Sequence, residues 1–372
     1  MSQLDVIVVG LGAMGSAAAA HAAARGRRVL GIEQFQPAHD QGSSHGRSRV
    51  IRMAYFEHPA YVPLLRRSYE LWRRLEVETG RDLLRITGGL MIGAPDSEVV
   101  AGSLRSAREH QLDHQVLDAA EIRRRFPAFT AQQGTVALHE PEAGVVFPEE
   151  AIRAHLDVAV DNGARLHFDE RVDDWQVLPS GVIEVRTARG RYETERLVLS
   201  PGPWASRLFK IDWLPLAVEP QQLHWFLPAG GAAPFAPDRF PVYIWDLGDG
   251  VQFYGFPADR DGRVKVAFFR SKIQGEAAIR EALAPALPSL AKGTLVETVM
   301  CKYTLTPDRH FVIGRHPDHA NVVIASPCSG HGYKFATVIG EILADLAIDD
   351  ATRHPIALFA PERFRPIAGS PS

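Results

Sequence analysis

Cysteine is nearly absent from this chain: Cys301 and Cys328 are the only two in 372 residues. So sparse a supply excludes a disulfide framework and fits a reducing, cytoplasmic setting, with a single bridge between the two left open. An excess of charge of one sign is missing too. Lys+Arg (41) and Asp+Glu (44) nearly cancel and are interspersed, so no basic stripe exists to neutralise the phosphates of a nucleic acid. No uninterrupted apolar run approaches the roughly 18 residues of a membrane span. The segment 6–24, VIVVGLGAMGSAAAAHAAA, has the smallness of a signal-peptide core, yet Asp5 leads in and His21 interrupts it. A secretory signal would start with positive charge. Metal-ligand spacing is also lacking: His310, His316 and His319 cluster without cysteine partners and match no zinc pattern. There is no G-x-S-x-G elbow. These absences leave a soluble protein with no nucleic-acid, membrane or metal partner. Its 46% hydrophobic residues are enough for a sizeable core in two or three domains.

What is present begins at the N-terminus. DVIVVGLGAMGSAAAAHAAARGRRVLGIE reads as strand, tight turn, helix, strand. Val6 to Val9 is the continuous β-branched run of a strand buried on both faces in a parallel sheet. Gly10, Gly12 and Gly15 follow as G-x-G-x-x-G where strand passes into helix. The first glycine permits the turn, the second lets backbone approach a pyrophosphate, and the third lets helix pack on strand. The phosphates would lie at the positive helix N-terminus. Glu33 ends the second strand, where a carboxylate accepts ribose hydroxyls. An acid there disfavours the 2'-phosphate of NADP but does not separate NAD from FAD.

Farther along, residues 59–80 put Leu64, Leu65, Ser68, Leu71, Trp72 and Leu75 on one helical face, with Pro63 near the start and Gly80 past the end. Residues 84–98 are strand-like, and Asp118 with Glu121 forms a capping-box signal. Helical periodicity returns at 149–162, and short strands run from Arg165 to Leu199. The edge after that last strand, Pro201-Gly202, is placed to pass close to a dinucleotide. Residues 216–269 read as antiparallel strands, with a Gly-Asp-Gly turn in VYIWDLGDGVQFYGF. NVVIASPCSGHGYKFATVIGEILADLA closes the pattern as strand, glycine-rich turn and helix. The fold class is α/β: a Rossmann-type nucleotide-binding domain assembled from discontinuous segments (1–84, 150–215 and 300–372) plus a β-rich antiparallel substrate domain (85–149 and 216–299).

Three stretches carry chemical potential. GSSHGRSRVIR (42–52) bears His45, Arg49 and Arg52; exposed arginines are the plainer reading, but arginine is also the side chain that grips a carboxylate with two hydrogen bonds. In GRVKVAFFR, Lys265 and Phe269 share one strand face; that lysine is either solvated or a buried fixed charge. SGHGYKF sets His331 and Lys334 beside two glycines at a helix mouth, a place that stabilises an anion.

Taken together, the Gly10, Gly12 and Gly15 motif with Glu33, then GSSHGRSRVIR, FYGFP, CKYT at 301–304, HPDHANVVIA and SGHGYKF, occur in the order of the monomeric sarcosine oxidase, N-methyl-tryptophan oxidase and pipecolate oxidase family. The chain resembles that family essentially from end to end. The resemblance implies a D-amino-acid-oxidase-type flavoprotein with FAD held as a thioether by Cys301. A thiolate is a competent nucleophile for the electrophilic 8α-methyl carbon of the oxidised ring. It also implies cofactor contacts from Ser43, Ser44, His45, Arg49 and Gly332, and a substrate-carboxylate clamp of Arg52 and Lys334. Tyr254 and Tyr303 would line the substrate side, and Lys265 would promote reaction with O2. The implied reaction is hydride transfer from a secondary amino acid to the flavin, giving an imine and, with O2, hydrogen peroxide, in a monomer.

Departures from the family pattern concern the substrate. Phe269 stands where histidine is usual, Pro327-Cys328 replaces Gly-Phe, and Arg47 replaces a frequent aspartate. Phe269 and Trp245 lead to an expectation of a bulkier or more apolar substrate than sarcosine. The competing readings are a flavin dehydrogenase with another electron acceptor, a noncovalent FAD amino-acid oxidase, an NAD enzyme, and a dinucleotide sensor without turnover.

Overall fold

A computed structural model describes residues 4–269, 273 and 275–366. A first sheet is centred on parallel strands in the spatial order Arg165–His167, Val29–Ile32, Leu4–Val9, Gly190–Leu199 and His319–Ser326. The first strand shows why its sequence alternates nothing. Val6 and Val8 pack into the cluster beneath the helices, while Ile7 and Val9 pack into a second cluster on the opposite face. Over Val6–Val9 the strand is covered on both sides and no position is left for a polar residue, while Asp5 at its half-buried start pairs with Arg28.

The helix Ala13–Ala24 that leaves this strand is almost wholly buried and lies against the helix Ala336–Ile348. Its alanines permit that closeness: a Cβ on Gly340 would come within 2.4 Å of Ala17 Cβ. The helix Val62–Thr79 buries the apolar face its spacing predicts and ends at Gly80 with φ +67°. Residues 84–98 hold two short strands, Leu84–Ile86 and Gly89–Gly93, before a helix begins at Glu98. Of the capping box, Asp118 Oδ1 accepts Glu121 N at 2.8 Å.

The second sheet runs, in spatial order, Thr294–Leu305, Ala217–Leu227, Val264–Phe269, Gln252–Gly255, Val242–Asp246, Gly89–Gly93, Val136–Glu140 and Gln115–Asp118. It is antiparallel except where Val242–Asp246 meets Gly89–Gly93. The Gly-Asp-Gly turn is present, with Gly248, Asp249 and Gly250 all at positive φ. A boundary at 300 would divide the strand Thr294–Leu305, which pairs along its length with Ala217–Leu227. Cys301 therefore belongs to the second sheet. A small sheet of Arg49–Ile51, Gly144–Val146 and Leu84–Ile86 stands beside it. Cys301 and Cys328 are both free thiols, which disposes of a bridge. No helix among the described residues is long and apolar enough to cross a membrane.

Candidate active site

The glycine turn is built as the spacing requires. Gly10 has φ +84°, and a Cβ at Gly15 would fall 1.7 Å from Gly10 O. A Cβ at Gly12 would meet only Ser44 Oγ, at 3.6 Å, because Gly12 faces open space. That space is a cavity of about 90 Å³ whose wall includes Gly10, Gly12, Glu33, Ser200, Pro201 and Gly202. Glu33 presents one oxygen to Leu11 N at 2.8 Å and the other to Phe35 N at 3.2 Å. Its carboxylate is thus fixed at the cavity wall.

A larger cavity of about 430 Å³ shares Ala13, Met14, Ser43, Ser44, Pro327 and Cys328 with the first. The two form one elongated space running from the turn to the second sheet. Two buried polar atoms, Ser43 Oγ on its wall and His45 Nε2 behind that wall, have no hydrogen-bond partner among the described residues. Unmet buried polar atoms of this kind are rare unless a ligand meets them. Length, glycine cradle, fixed acid and unmet donors together fit a dinucleotide.

At the far end the larger cavity gathers Arg49, Arg52, Tyr254, Phe269, Cys301, Tyr303, Gly332 and Lys334. Arg49 donates to Ser43 O at 2.8 Å and Ser48 O at 2.9 Å, and its Nη2 lies 3.8 Å from Cys301 Sγ. The Tyr254 and Tyr303 hydroxyls are 3.3 Å apart, and burial raises the pKa of both phenols. Lys334 Nζ donates to His331 O at 2.7 Å. Burial and the nearby Arg52 charge lower its pKa to about 7. His331 is pinned from both sides, accepting from Tyr55 Oη at 2.5 Å and donating to Arg309 O at 3.0 Å. Burial lowers its pKa to about 4, so it is neutral at pH 7.

Lys265 and His45 lie behind this wall rather than in it. Lys265 is 2% exposed, which rules out the solvated reading. Its ammonium donates to Gly46 O at 2.7 Å and Ser48 O at 2.8 Å. Burial, with Arg49 nearby, lowers its pKa well below a lysine's ordinary range. Arg49, Lys265 and Lys334 have no carboxylate within ion-pair distance among the described residues. Buried cations without counter-ions are costly, and an anionic or electron-rich ligand relieves them.

Two features were not legible in the sequence. Glu57 forms a buried 2.7 Å ion pair with Arg52 and also lines the cavity. Burial, which opposes its ionisation, is outweighed chiefly by the Arg52 charge and hydrogen bond, and its pKa falls to about 2. Glu140 accepts from Met53 N at 2.6 Å and Ala54 N at 2.9 Å, which fixes the backbone just beyond Arg52. Carboxylates in loops and strand ends carry no pattern that sets them apart from solvated ones.

Trp245 is a correction. It is 3% exposed and packs against Phe129 and Phe253 in the core of the second domain. The cavity is lined instead by its neighbour Ile244. All of Val242–Trp245 is buried, so both faces of that strand look alike in sequence while only one meets the cavity.

The family of proteins described as FAD dependent oxidoreductases, DAO, matches residues 5–346. Monomeric sarcosine oxidase of Streptomyces avermitilis is 48% identical over 97% of this chain and 97% of its own. N-methyl-L-tryptophan oxidase of Yersinia pestis is 31% identical over 97% of this chain and 99% of its own. Among solved structures, L-proline dehydrogenase from P. horikoshii superposes with a TM-score of 0.84 at 23% identity, covering 97% of this chain and 98% of that one, a likeness of fold.

Proposed function

The chain belongs to the DAO family of FAD-dependent oxidoreductases and is an amino-acid oxidase of the sarcosine oxidase type; from that premise we propose that it oxidises N-methyl or cyclic secondary amino acids with dioxygen as acceptor. The observation that carries the substrate class is Lys334, a buried cation beside Arg52 in the larger cavity with no carboxylate at ion-pair distance among the described residues. Together they form a clamp for one carboxylate. The glycine turn, Glu33 and the unmet Ser43 hydroxyl on the cavity wall fit FAD, with its pyrophosphate over the helix N-terminus. Bound FAD supplies a hydride acceptor and returns two electrons to dioxygen, so that a CH–NH unit becomes an imine and dioxygen becomes hydrogen peroxide.

The chain's own residues supply the rest. Burial around the cavity favours the neutral amine, whose lone pair must be free for hydride loss. Phe56, Ile244 and Phe269 give the cavity an apolar wall that suits a substrate larger than sarcosine. Lys265 provides fixed positive charge where dioxygen gains electrons. Cys301 is the proposed point of covalent attachment, as a thioether to the 8α carbon of the ring. The protein is proposed to act as a monomer in the cytoplasm.

The test is intact mass and visible spectrum after acid precipitation, followed by oxygen uptake on a substrate panel. An FAD-sized increment that stays with the polypeptide and is lost in Cys301→Ser is expected, with oxygen consumed on N-methyl and cyclic amino acids. Flavin that washes off freely overturns the attachment. Turnover with an artificial acceptor but not with oxygen overturns the oxidase reading.

A further inference from the structure

Residues 46–48 form a tight and unfavourable turn. Ser48 N donates to Gly46 O at 2.8 Å, two residues back, and Arg47 between them has φ +67°. This is a γ-turn in the left-handed region, a conformation that side-chain-bearing residues avoid and that persists only when its surroundings hold it. Gly46 itself has φ +98°, and a Cβ there would strike Leu223 Cδ1 at 2.7 Å.

Two charged side chains grip the turn. The Lys265 ammonium takes the Gly46 and Ser48 carbonyl oxygens at 2.7 and 2.8 Å. Glu149 Oε1 accepts Gly46 N at 2.7 Å and Arg47 N at 3.1 Å. Glu149 sits in the first turn of the helix Pro148–Asp161, where the helix dipole favours a carboxylate. It lines neither lobe of the cavity. The peptide units of the turn thus lie between an anion on their N–H side and a cation on their carbonyl side.

We infer that Glu149 is a positioning residue: by holding the N–H side of the Gly46–Ser48 turn, it fixes the carbonyl oxygens that hold Lys265 in place. Its effect on turnover rests on the oxidase reading, since Lys265 serves there in the oxygen step. Two successive backbone donors on one carboxylate oxygen make a small anion nest, here filled by the protein's own side chain. Removing the acceptor takes the hydrogen-bond partner from Gly46 N and Arg47 N, leaves the Arg47 side chain held by Glu297 and Trp225, and loosens the backbone that carries the Lys265 partners.

The experiment uses the flavin-loaded protein and two variants, Glu149→Ala and Glu149→Gln. Glu149→Ala should speed amide hydrogen exchange at Gly46 and Arg47 by about tenfold each, the order of one lost hydrogen bond per amide. It should slow reoxidation by oxygen by a similar factor, while anaerobic reduction by substrate changes less than about twofold. Glu149→Gln keeps an oxygen acceptor and should restore both. Unchanged exchange, or equal losses in the two half-reactions, would overturn the assignment. If Glu149→Ala does not fold, the unaltered protein still decides: Gly46 and exposed Arg47 should exchange slowly for loop amides, and fast exchange there refutes the proposal. Oxygen uptake by the unaltered protein tests the oxidase reading separately from the exchange rates.

Discussion

Arg49 joins the two halves of the molecule at Cys301: its Nη2 donates to Ser43 O in the loop beside the glycine turn and lies 3.8 Å from Cys301 Sγ in the second sheet. The other prong of the fork, Nη1, donates to Ser48 O at 2.9 Å, so the guanidinium holds both backbone carbonyls while it faces the thiol, which a lysine's single nitrogen cannot reproduce. Arg49→Lys is therefore expected to leave about half or more of the flavin extractable by acid, read as loss of fluorescence from the denatured polypeptide band. Full retention would show that Arg49 has no part in attachment.

Lys334 supplies a pH dependence. Its ammonium form, which binds a carboxylate, prevails below about 7 and is lost above it. Affinity for a simple carboxylate inhibitor without an amine should fall as pH rises through that value, by up to about tenfold per unit. Flavin spectral titration from pH 6 to pH 9 measures it. Lys334→Met should be weaker throughout and flat; a wild-type profile equally flat would remove Lys334 from the clamp.

Phe269 tests the substrate reading. Replacing it by alanine removes one aromatic wall, and kcat/KM for an N-methyl aromatic amino acid should drop about tenfold or more relative to sarcosine. The idea fails if sarcosine is already the best substrate of the unaltered protein.

Two glycines of one motif should behave differently. Gly15→Ala drives a Cβ into Gly10 O at 1.7 Å, a backbone clash with no side chain to yield, so soluble protein should be scarce. Gly12→Ala meets nothing closer than 3.6 Å and should fold, yet load flavin poorly, because the added methyl occupies cofactor space. Yield and the ratio of flavin to protein absorbance separate the two.

His155 is 3% exposed beside Trp72, and burial lowers its pKa to about 3. The unfolded chain takes up this proton near 6.5, so the folded state keeps its full advantage above that pH and loses it as pH falls toward 3. The loss is at most about 1.4 kcal/mol per pH unit. Urea denaturation at pH 7, 6 and 5 should show a shallower decline in His155→Leu than in the unaltered chain. Parallel declines would mean the buried imidazole does not govern acid stability.

Sequence pattern reached the fold wherever burial has a period or a special residue enforces geometry. Val6 to Val9, the three glycines and the face of Leu64 to Leu75 are of that kind. It reached less far where burial is uniform. The strand holding Ile244 and Trp245 is buried along its length except at Asp246, so the choice of which residue meets the cavity rests on tertiary packing alone. Lys265 and Phe269 fall on one face by alternation, but whether that face was wet or dry depended on Trp225 and Phe256, which lie over the ammonium at 5.4 and 4.8 Å. Glu57 and Glu149 stood among ordinary surface acids until the chain brought them to Arg52 and to the turn at Arg47. The resemblance supplied residue roles that no periodicity carries.

The strand Thr294–Leu305 places Cys301 in one sheet, while the glycine turn belongs to the other. Under the proposed attachment, a cofactor gripped at both ends spans the boundary between them. If thermal motion parts the domains, the dinucleotide end can let go without being lost to the surroundings, because the tether keeps it at a millimolar-scale local concentration. Dilution would then not strip the protein of its flavin, and each polypeptide would need to acquire the cofactor only once in its lifetime.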